Sequence, residues 1–421
     1  MLNLASLNEI DFGKDFLWGT ATAAHQVEGN DIHSSNWYGE LRNHYAEPSG
    51  MACNFWELYP DDIKLMKELG YQAFRMSVGW GRLEPEEGHF DDQALAVYLD
   101  MFAKLKENGI KIFLTLLHSG EPEWFAQKGG FSKPENIGCF LKFAERLIPE
   151  IADFIDFWMV SNEFNLQSDP AIKTNILTVQ AQTASLIRRY SKNPVSSAHA
   201  LLCFVPDDPN SEADRVLSQY NMWKSNGYFF HACRTGEVIL PGMDMVEIPE
   251  LKESMDFWGI NYYTRIMCSA KKKDGHAPFY PYERLQMIRT EGFYLEGFYP
   301  DGLRNGLLGL KDKPIYITEN GNCCDDDRWR ILKLGLDLTA MKDAMDHGAD
   351  IRGYLHWSFM DNYEWNSFLP RFGLIHVDFD TFKRTPKKSA YFLRDIIAAG
   401  GKFDGALIRK YIPELPQLKL Y

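Results

Sequence analysis

The sequence predicts an α/β protein in which eight parallel strands, each followed by a helix, close into one (β/α)8 barrel over residues 1–421. Short apolar runs alternate with amphipathic helical segments along the chain, and parallel strands need such crossover helices. No internal repeat and no Pro- or Ser-rich linker divides the chain. The alternative, a doubly wound open sheet, favours a glycine-rich nucleotide loop after an early strand, and the sequence has none there. We therefore expect a single TIM barrel domain.

The first half of the chain supplies four predicted strands. Residues 16–20 form the first apolar run, which we expect to run on into residues 23–26. The next three predicted strands are residues 74–78, 111–117 and 154–160. Helices are predicted between them over residues 61–69, 92–108 and 135–150, with acidic residues at their starts and Gly70 and Gly109 after the first two.

The second half supplies the other four strands, predicted over residues 195–204, 256–263, 314–321 and 353–358. The run 314–321 begins with Pro314, which a strand tolerates at its first residue, and it ends in Glu319-Asn320-Gly321. It is typical of a buried strand that delivers one carboxylate to the edge of the core. A carboxylate that only caps the following loop is the alternative reading of this segment alone.

Composition and charge exclude several classes of protein. Forty-five basic against 58 acidic residues give a net charge of −13, which disfavours nucleic acid and anionic membranes as partners. The first residues lack a basic and apolar signal pattern, and no apolar run approaches the length of a membrane span, so we expect a cytoplasmic protein without an integral membrane segment. The seven cysteines are scattered without CxxC pairing, so we expect neither disulfides nor a metal site. A homo-oligomer is compatible with the sequence.

Polar and aromatic side chains stand at the carboxyl end of nearly every predicted strand, and in a barrel these ends converge on one rim. They are Gln26, Arg75, His118, Asn162, Glu163, Asn261, Tyr263, Glu319, Trp357 and, just beyond the last strand, Glu364 and Trp365. Each residue taken singly has a structural explanation, such as an ion pair for Arg75 or a core position for Trp357. The joint pattern is typical of an active site.

Two carboxylates on opposite sides of such a rim fit glycoside hydrolysis, in which one protonates the leaving oxygen and the other attacks the anomeric carbon. We expect Arg75 and Tyr263 to keep Glu319 ionised and aimed, as a nucleophile requires. We expect Glu163 to lie in more apolar surroundings, near Phe157, Trp158 and Phe164, which would raise its pKa and suit an acid.

The sequence resembles the retaining β-glycosidases of glycoside hydrolase family 1, and its short length resembles their compact archaeal-type members. The matching motifs are FLWGTATAAHQVEG (16–29), FRMSVGWGRLEPEEG (74–88), SNE (161–163), FWGINYYT (257–264), YITENG (316–321), GYLHWSFMDNYEW (353–365), RFGLIHVDF (371–379) and RTPKKSAYF (384–392). The resemblance implies hydrolysis of small-molecule or oligosaccharide β-glycosides by double displacement, with possible transglycosylation and without a metal or organic cofactor.

The resemblance also implies roles for individual residues. Glu319 would be the nucleophile and Glu163 the acid/base. Substrate would be bound by Gln26, His118, Asn162, Tyr263, Trp357, Glu364 and Trp365. Arg75 and Asn261 would contact the two acids and hold them in place without binding the substrate.

Three positions depart from the family pattern. Phe164 stands where a proline usually follows the acid/base, so the backbone at Glu163 loses the restriction to extended geometry that proline imposes. Ser119 replaces the aromatic residue that usually follows the sugar-binding histidine. Residues 165–175 replace a Gly- and Pro-rich loop that helps to shape the leaving-group side.

Two alternatives remain open at the level of sequence. A 6-phospho-β-glycosidase of the same family is disfavoured by Glu364, because a carboxylate would repel the phosphate. A carbohydrate-binding pseudoenzyme of the same fold is disfavoured by the presence of both glutamates. The sequence does not discriminate glucosides from galactosides, fucosides or mannosides.

Overall fold

The computed structural model describes residues 7–43, 46–271 and 298–414. Eight parallel strands form a closed barrel, and β8 pairs with β1 to complete it. The strands are β1 (Leu17–Ala21), β2 (Ala73–Ser77), β3 (Lys111–Leu117), β4 (Phe157–Asn162), β5 (Val195–Ala200), β6 (Trp258–Tyr262), β7 (Ile315–Asn320) and β8 (Ile351–Trp357). The predicted α/β barrel is confirmed.

Helices follow the strands and cover the outside of the barrel. The main ones are α1 (Phe55–Glu68), α2 (Asp92–Glu107), α3 (Ile137–Ile151), α4 (Pro170–Ile187), α5 (Tyr228–Thr235), α6 (Pro300–Leu308), α7 (Asp327–Asp346) and α8 (Lys388–Ala398). Additional helices are Ala24–Val27, Ser35–Arg42, Trp80–Leu83, Glu123–Gln127, Glu212–Met222 and Gly405–Tyr411. A π-helical segment, Trp223–Gly227, joins Glu212–Met222 to α5.

Side-chain caps fix where several helices begin. Asp91 accepts hydrogen bonds from the backbone of Gln93 and Ala94 at the start of α2. Asp169 accepts from Ala171 N at the start of α4, where Pro170 occupies a position that needs no N–H. None of the helices in the described ranges is long and apolar enough to span a bilayer.

Aromatic side chains fill the barrel near the amino ends of its strands. Phe113 stacks on Phe157 with ring centroids 4.0 Å apart, and Phe257 and Tyr316 pack edge-on against this pair. A barrel filled in this way is a packed core and not a channel. The polar rim at the carboxyl ends therefore rests on a rigid aromatic floor.

Small two-stranded sheets lie outside the barrel. Ile10–Asp11 pairs with Lys402–Phe403, Cys203–Pro206 with Arg265–Cys268, Glu237–Val238 with Val246–Glu247, and Ile375–Val377 with Arg384–Pro386. The sheet formed by Cys203–Pro206 and Arg265–Cys268 is parallel. Its two strands follow β5 and β6 in the chain and lie on one side of the rim.

Three predicted elements need correction. Residues 23–26 do not continue the first strand but enter the helix Ala24–Val27. The predicted strand 195–204 is interrupted, because the side chain of Asn226 binds both the N–H and the C=O of Leu202 and takes the chain out of the barrel. Helix α1 begins before the predicted residue 61, and Pro60 lies inside it, since the buried Phe55 anchors the turn that precedes the proline.

Candidate active site

Glu319 lies near the carboxyl end of β7, and its side chain lines the cavity at the rim of the barrel. The residue is 3% exposed. Gly321 follows, and a Cβ atom there would lie 1.9 Å from the backbone oxygen of Trp357, so only glycine allows this close approach to β8. The end of the strand is thereby fixed against its neighbour in the barrel.

Two side chains from other strands bind the Glu319 carboxylate. Arg75 Nη1, from β2, lies 2.6 Å from Oε1, and the hydroxyl of Tyr263 donates to Oε2 at 2.7 Å. Burial raises the pKa of Glu319, and the charge of Arg75 and the hydrogen bond from Tyr263 oppose that rise without cancelling it. The contacts expected from the sequence are present, but the pKa of Glu319 still lies above its ordinary value.

Arg75 also begins a chain of contacts that links the two glutamates. Its Nη2 donates to Asn162 Oδ1 at 2.6 Å. Asn261 Nδ2 donates to the same oxygen at 3.1 Å and to Glu163 Oε1 at 2.9 Å. Thr318 donates to Asn261 Oδ1 at 2.7 Å and holds that amide in place. Residues from β2, β4, β6 and β7 therefore fix Glu163 relative to Glu319.

Glu163 lies directly after β4 in a conformation that the sequence did not predict. Its φ and ψ are 55° and 26°, the left-handed region, and the 3₁₀ turn Phe164–Leu166 begins after it. A following proline disfavours helical conformations at the preceding residue, so Phe164 is compatible with this geometry where proline is not.

The apolar surroundings expected for Glu163 also need correction. Phe157 lies in the aromatic floor against Phe113, at the other end of β4. Five residues of β4 lie between Phe157 and Glu163, and the rise over these six residue steps is about 20 Å. Apolar neighbours at the rim come instead from Leu166 and Leu202, which share the cavity with Glu163.

Side chains from both ends of the chain build the opposite part of the rim. Gln26 Nε2 donates to Glu364 Oε2 at 3.1 Å and to the backbone oxygen of Tyr363 at 3.0 Å. Trp357 Nε1 donates to Glu364 Oε1 at 3.0 Å. The ring of His118 lies nearly parallel to that of Trp357, with centroids 5.9 Å apart. These contacts form one polar wall.

Two buried polar atoms of this wall have no hydrogen-bond partner among the described residues. They are Gln26 Oε1 and His118 Nδ1. Burial and the nearby Arg75 hold the pKa of His118 well below its usual range, so the imidazole is neutral at neutral pH. Its Nε2 lies 3.3 Å from Asn162 Nδ2. Buried polar atoms without a partner are rare in native structures, and both residues line the cavity.

The rim encloses a cavity of about 330 Å³. Of the residues predicted from the sequence, the cavity is lined by Gln26, His118, Glu163, Asn261, Tyr263, Glu319, Trp357, Glu364 and Trp365. Arg75 and Asn162 are not among the lining residues; Arg75 is fully buried, whereas Asn162 keeps 7% of its surface exposed. Sequence reasoning missed Leu166, Ala200, Leu201, Leu202, Thr264, Ile266 and Phe372, which complete the lining. Ala200, Leu201 and Leu202 lie inside the predicted strand 195–204, and Thr264 and Phe372 lie inside motifs quoted above, but nothing in those patterns indicated that their side chains line the cavity.

The other two departures from the family pattern, Ser119 and the segment after β4, can also be located in the structure. Ser119 receives a hydrogen bond from Asn36 Nδ2 at 3.3 Å and does not line the cavity. The segment after β4 is short, since α4 begins at Pro170. Within the described part of the chain, no group of three or more His, Cys, Asp or Glu side chains is arranged to hold a metal ion.

Comparison with known proteins gives a consistent family. The model of Glycosyl hydrolase family 1 matches residues 8–177 and 166–402. The β-glycosidase from Pyrococcus horikoshii superimposes with a TM-score of 0.85 at 32% identity, covering 98% of this chain and 100% of that one. A β-glucosidase from Exiguobacterium marinum gives a TM-score of 0.82 at 26% identity, covering 93% and 99%.

Curated relatives include a protein named 6-phospho-beta-galactosidase from Streptococcus mutans, 29% identical over 91% of this chain and 97% of its own length. Avenacosidase 2 from Avena sativa is 28% identical over 92% of this chain and 82% of its own length. The family model and the structural likeness extend over most of the barrel and include both candidate glutamates. The chain therefore belongs to glycosyl hydrolase family 1 and is a (β/α)8-barrel glycoside hydrolase of the β-glycosidase type.

Proposed function

We propose that the protein hydrolyses unphosphorylated β-glycosides, β-glucosides in the first place, with retention of configuration. The observation that carries this proposal is the pair Glu319 and Glu163, which face one cavity and are joined through Arg75, Asn162 and Asn261. Two carboxylates held rigidly at one cavity are the requirement of double-displacement hydrolysis.

Glu319 is the nucleophile in this proposal. Arg75 and Tyr263 hold its two oxygens, which favours the carboxylate form and aims it into the cavity. It attacks the anomeric carbon, and the bond from that carbon to the leaving oxygen breaks. The product of this step is a glycosyl ester of Glu319.

Glu163 is the acid and then the base. It gives its proton to the leaving oxygen in the first step. In the second step it takes a proton from water, the water oxygen attacks the anomeric carbon, and Glu319 leaves as a carboxylate. Asn162, beside both acids, binds the 2-hydroxyl, whose hydrogen bond strengthens as charge develops at the ring.

The polar wall supplies the side chains that bind the sugar ring and its hydroxyl groups. Gln26, His118 and Glu364 line the cavity and bind the sugar hydroxyls. Trp357 offers an apolar face to the ring and Trp365 closes the wall. A cavity of about 330 Å³ is at the small end of the usual range for ligand sites and fits one sugar ring with part of its leaving group.

The second candidate is a 6-phospho-β-glycosidase, which the names of several relatives favour. The charge of the cavity argues against it. Among the described lining residues are the three carboxylates of Glu163, Glu319 and Glu364, and there is neither lysine nor arginine. A phosphate dianion would be repelled there, and the neutral His118 would not compensate.

The leaving-group side is apolar. Leu166, Leu202 and Ile266 line the cavity beside the acid/base, from the turns after β4, β5 and β6. Since the acid/base must touch the leaving oxygen, the group attached to that oxygen meets this aliphatic wall. We infer that alkyl and aryl leaving groups are preferred over a second sugar.

Two substitutions test the mechanism. Glu319→Ala should lower hydrolysis of 2,4-dinitrophenyl β-glucoside by about 10⁴-fold or more, since it removes the nucleophile. Glu163→Ala should spare the first step with this activated leaving group, and azide should restore turnover by replacing water in the second. The exposed Glu57→Ala is the matched control and should behave as the parent enzyme. Full activity in either cavity variant would contradict the assignment.

A substrate panel tests the specificity. Nitrophenyl β-glucoside should be cleaved faster than its 6-phosphate, and the α-anomer should not be cleaved. The β-galactoside, β-mannoside and β-fucoside in the same panel rank the tolerance of the polar wall. A faster reaction with the 6-phosphate would favour the second candidate, and binding of every sugar without turnover would indicate a pseudoenzyme.

A further inference from the structure

Glu163, which precedes the turn after β4, is a non-glycine residue in the left-handed region. Its φ is 55°, and such conformations persist only where the surrounding structure imposes them. The N–H of Glu163 donates to Ala198 O at 2.8 Å, and the N–H of Leu166 donates back to Glu163 O at 2.9 Å. These bonds fix the backbone on both sides of the acid/base, but they need the turn itself to stay in place.

The side chain of Asn165 fastens that turn to the end of β5. Its Nδ2 donates to Ala200 O at 2.8 Å, and its Oδ1 accepts from Ala200 N at 3.2 Å. The amide therefore binds one residue of β5 through both of its polar atoms. Asn165 is 5% exposed, so loss of these bonds would leave buried polar groups unpaired.

A third bond ties the turn to the π-helical segment. Asn165 Nδ2 also donates to Ser225 O at 3.2 Å, and Lys173 Nζ donates to the neighbouring Lys224 O at 3.0 Å. π-Helical turns often occur at functional sites. Here the segment Trp223–Gly227 presents two backbone carbonyls to the β4–α4 connection.

We propose that Asn165 is the positioning residue of the acid/base, and that its contacts with Ala200 and Ser225 fix the backbone after Glu163, which no proline restricts in this chain. The assignment rests on the proposed role of Glu163. Phe164 assists, since its ring packs edge-on against Phe131 at 6.0 Å, a contact that proline could not make. The two residues after Glu163 thus anchor the turn by packing and by hydrogen bonds.

A misplaced acid affects substrates unequally. A leaving group such as 2,4-dinitrophenolate departs without a proton, whereas phenolate or an alkoxide needs one. General acid catalysis supplies about 10²- to 10⁴-fold, so partial loss of alignment should appear only with the poorer leaving groups. A residue that merely stabilises the fold would lower all rates per folded molecule equally or not at all.

The test is a leaving-group series with Asn165→Leu, which keeps the volume and removes both polar atoms. We expect kcat/KM for 2,4-dinitrophenyl β-glucoside to stay within about twofold of the parent and that for phenyl β-glucoside to fall by about 10- to 100-fold. The pH profile for the phenyl substrate should lose its alkaline limb, which reports the protonated acid. Asn165→Asp keeps the acceptor for Ala200 N and removes the donors, and it should show the same pattern more weakly.

Asn136→Leu is the matched control. Asn136 is also buried and donates to two backbone carbonyls, Lys128 O at 3.1 Å and Gly130 O at 3.0 Å, but it does not line the cavity. It should lower the melting temperature without changing the leaving-group dependence.

Equal loss with all leaving groups, or no loss, in both Asn165 variants would overturn the positioning role. If Asn165→Leu does not fold, Asn165→Asp alone decides. The proposed function is judged separately on the parent enzyme. Failure of the parent to cleave the dinitrophenyl substrate would refute the proposed function, whatever the variants do.

Discussion

The two candidate catalytic glutamates are held in opposite ways. Glu319 ends a regular barrel strand, is buried, and is fixed by a charged side chain and a phenol. Glu163 directly follows its strand in a left-handed conformation and is only partly buried. Its carboxylate accepts a hydrogen bond from the neutral amide of Asn261. Glu319 is positioned by a charged partner and is buried, whereas Glu163 is positioned by backbone geometry and is partly exposed.

The difference follows from what each group has to do. A nucleophile must stay ionised and attack one atom, so a fixed cation and a rigid strand serve it. An acid/base must exchange a proton with the leaving group and then with water, so it needs access to solvent. Substitutions around Glu319 and substitutions around Glu163 should therefore change the catalytic rates in different ways.

Removal of Arg75 should have the largest effect. Arg75→Met leaves Glu319 buried without its cation and breaks the link to Asn162, so we expect kcat/KM to fall by about 10³-fold with every leaving group. Loss of one partner of a buried pair should also lower the free energy of unfolding by about 3–5 kcal/mol. Rates per folded molecule and denaturant unfolding measure the two effects.

Arg330→Met is the control for that variant. Arg330 is equally buried and paired with Asp327, and it donates to Arg371 O at 2.6 Å, outside the cavity. A similar loss of stability with unchanged kcat/KM is expected. If Arg75→Met lost activity only with poor leaving groups, Arg75 would act on the acid/base and not on the nucleophile, and the proposed difference between the two glutamates would be wrong.

Tyr263→Phe should have an intermediate effect with a signature in pH. The hydroxyl stabilises the Glu319 carboxylate and so lowers its pKa against the effect of burial. Without it the pKa rises further, and because only the carboxylate attacks, the acidic limb of kcat/KM should move to higher pH. The lost bond to a charged group is worth about 1.5–3 kcal/mol, which corresponds to about 10- to 10²-fold in rate.

The neighbouring Tyr262→Phe provides the control for this measurement. Tyr262 is fully buried, donates to Tyr299 O at 2.5 Å, and does not line the cavity. Its pH profile should match that of the parent. Superimposable profiles for Tyr263→Phe and the parent would show that the phenol does not act on the nucleophile.

The sequence predicted the Glu319 side better than the Glu163 side, and for a physical reason. Carboxyl ends of parallel strands must converge, so the meeting of Arg75, Tyr263 and Glu319 could be expected from strand positions alone. The predicted strand over residues 111–117 likewise agrees with β3, because a continuous apolar run between two helices leaves few alternatives.

The Glu163 side depends on turn geometry, which periodicity does not encode. The absence of proline showed that the backbone was freer, but not that Glu163 would adopt a left-handed conformation or that Asn165 would bind Ala200. The fifth strand was predicted to run to residue 204, which concealed Leu202 as part of the cavity wall. A polar side chain from a distant helix, Asn226, ended that strand, and such a contact leaves no local signal in the sequence.

Leu166→Asn should have the smallest effect and should act on the leaving-group side alone. Leu166 is 51% exposed and lines the cavity, so a ligand in the cavity can cover its side chain. An octyl chain would cover it and methyl would not, so the ratio of kcat/KM for octyl to methyl β-glucoside should fall by about fivefold, near 1 kcal/mol of apolar contact. Leu41→Asn, at a leucine 62% exposed and away from the cavity, should leave the ratio unchanged. A ratio unchanged in Leu166→Asn, or an equal loss with methyl β-glucoside, would show that the aliphatic wall does not contact the leaving group.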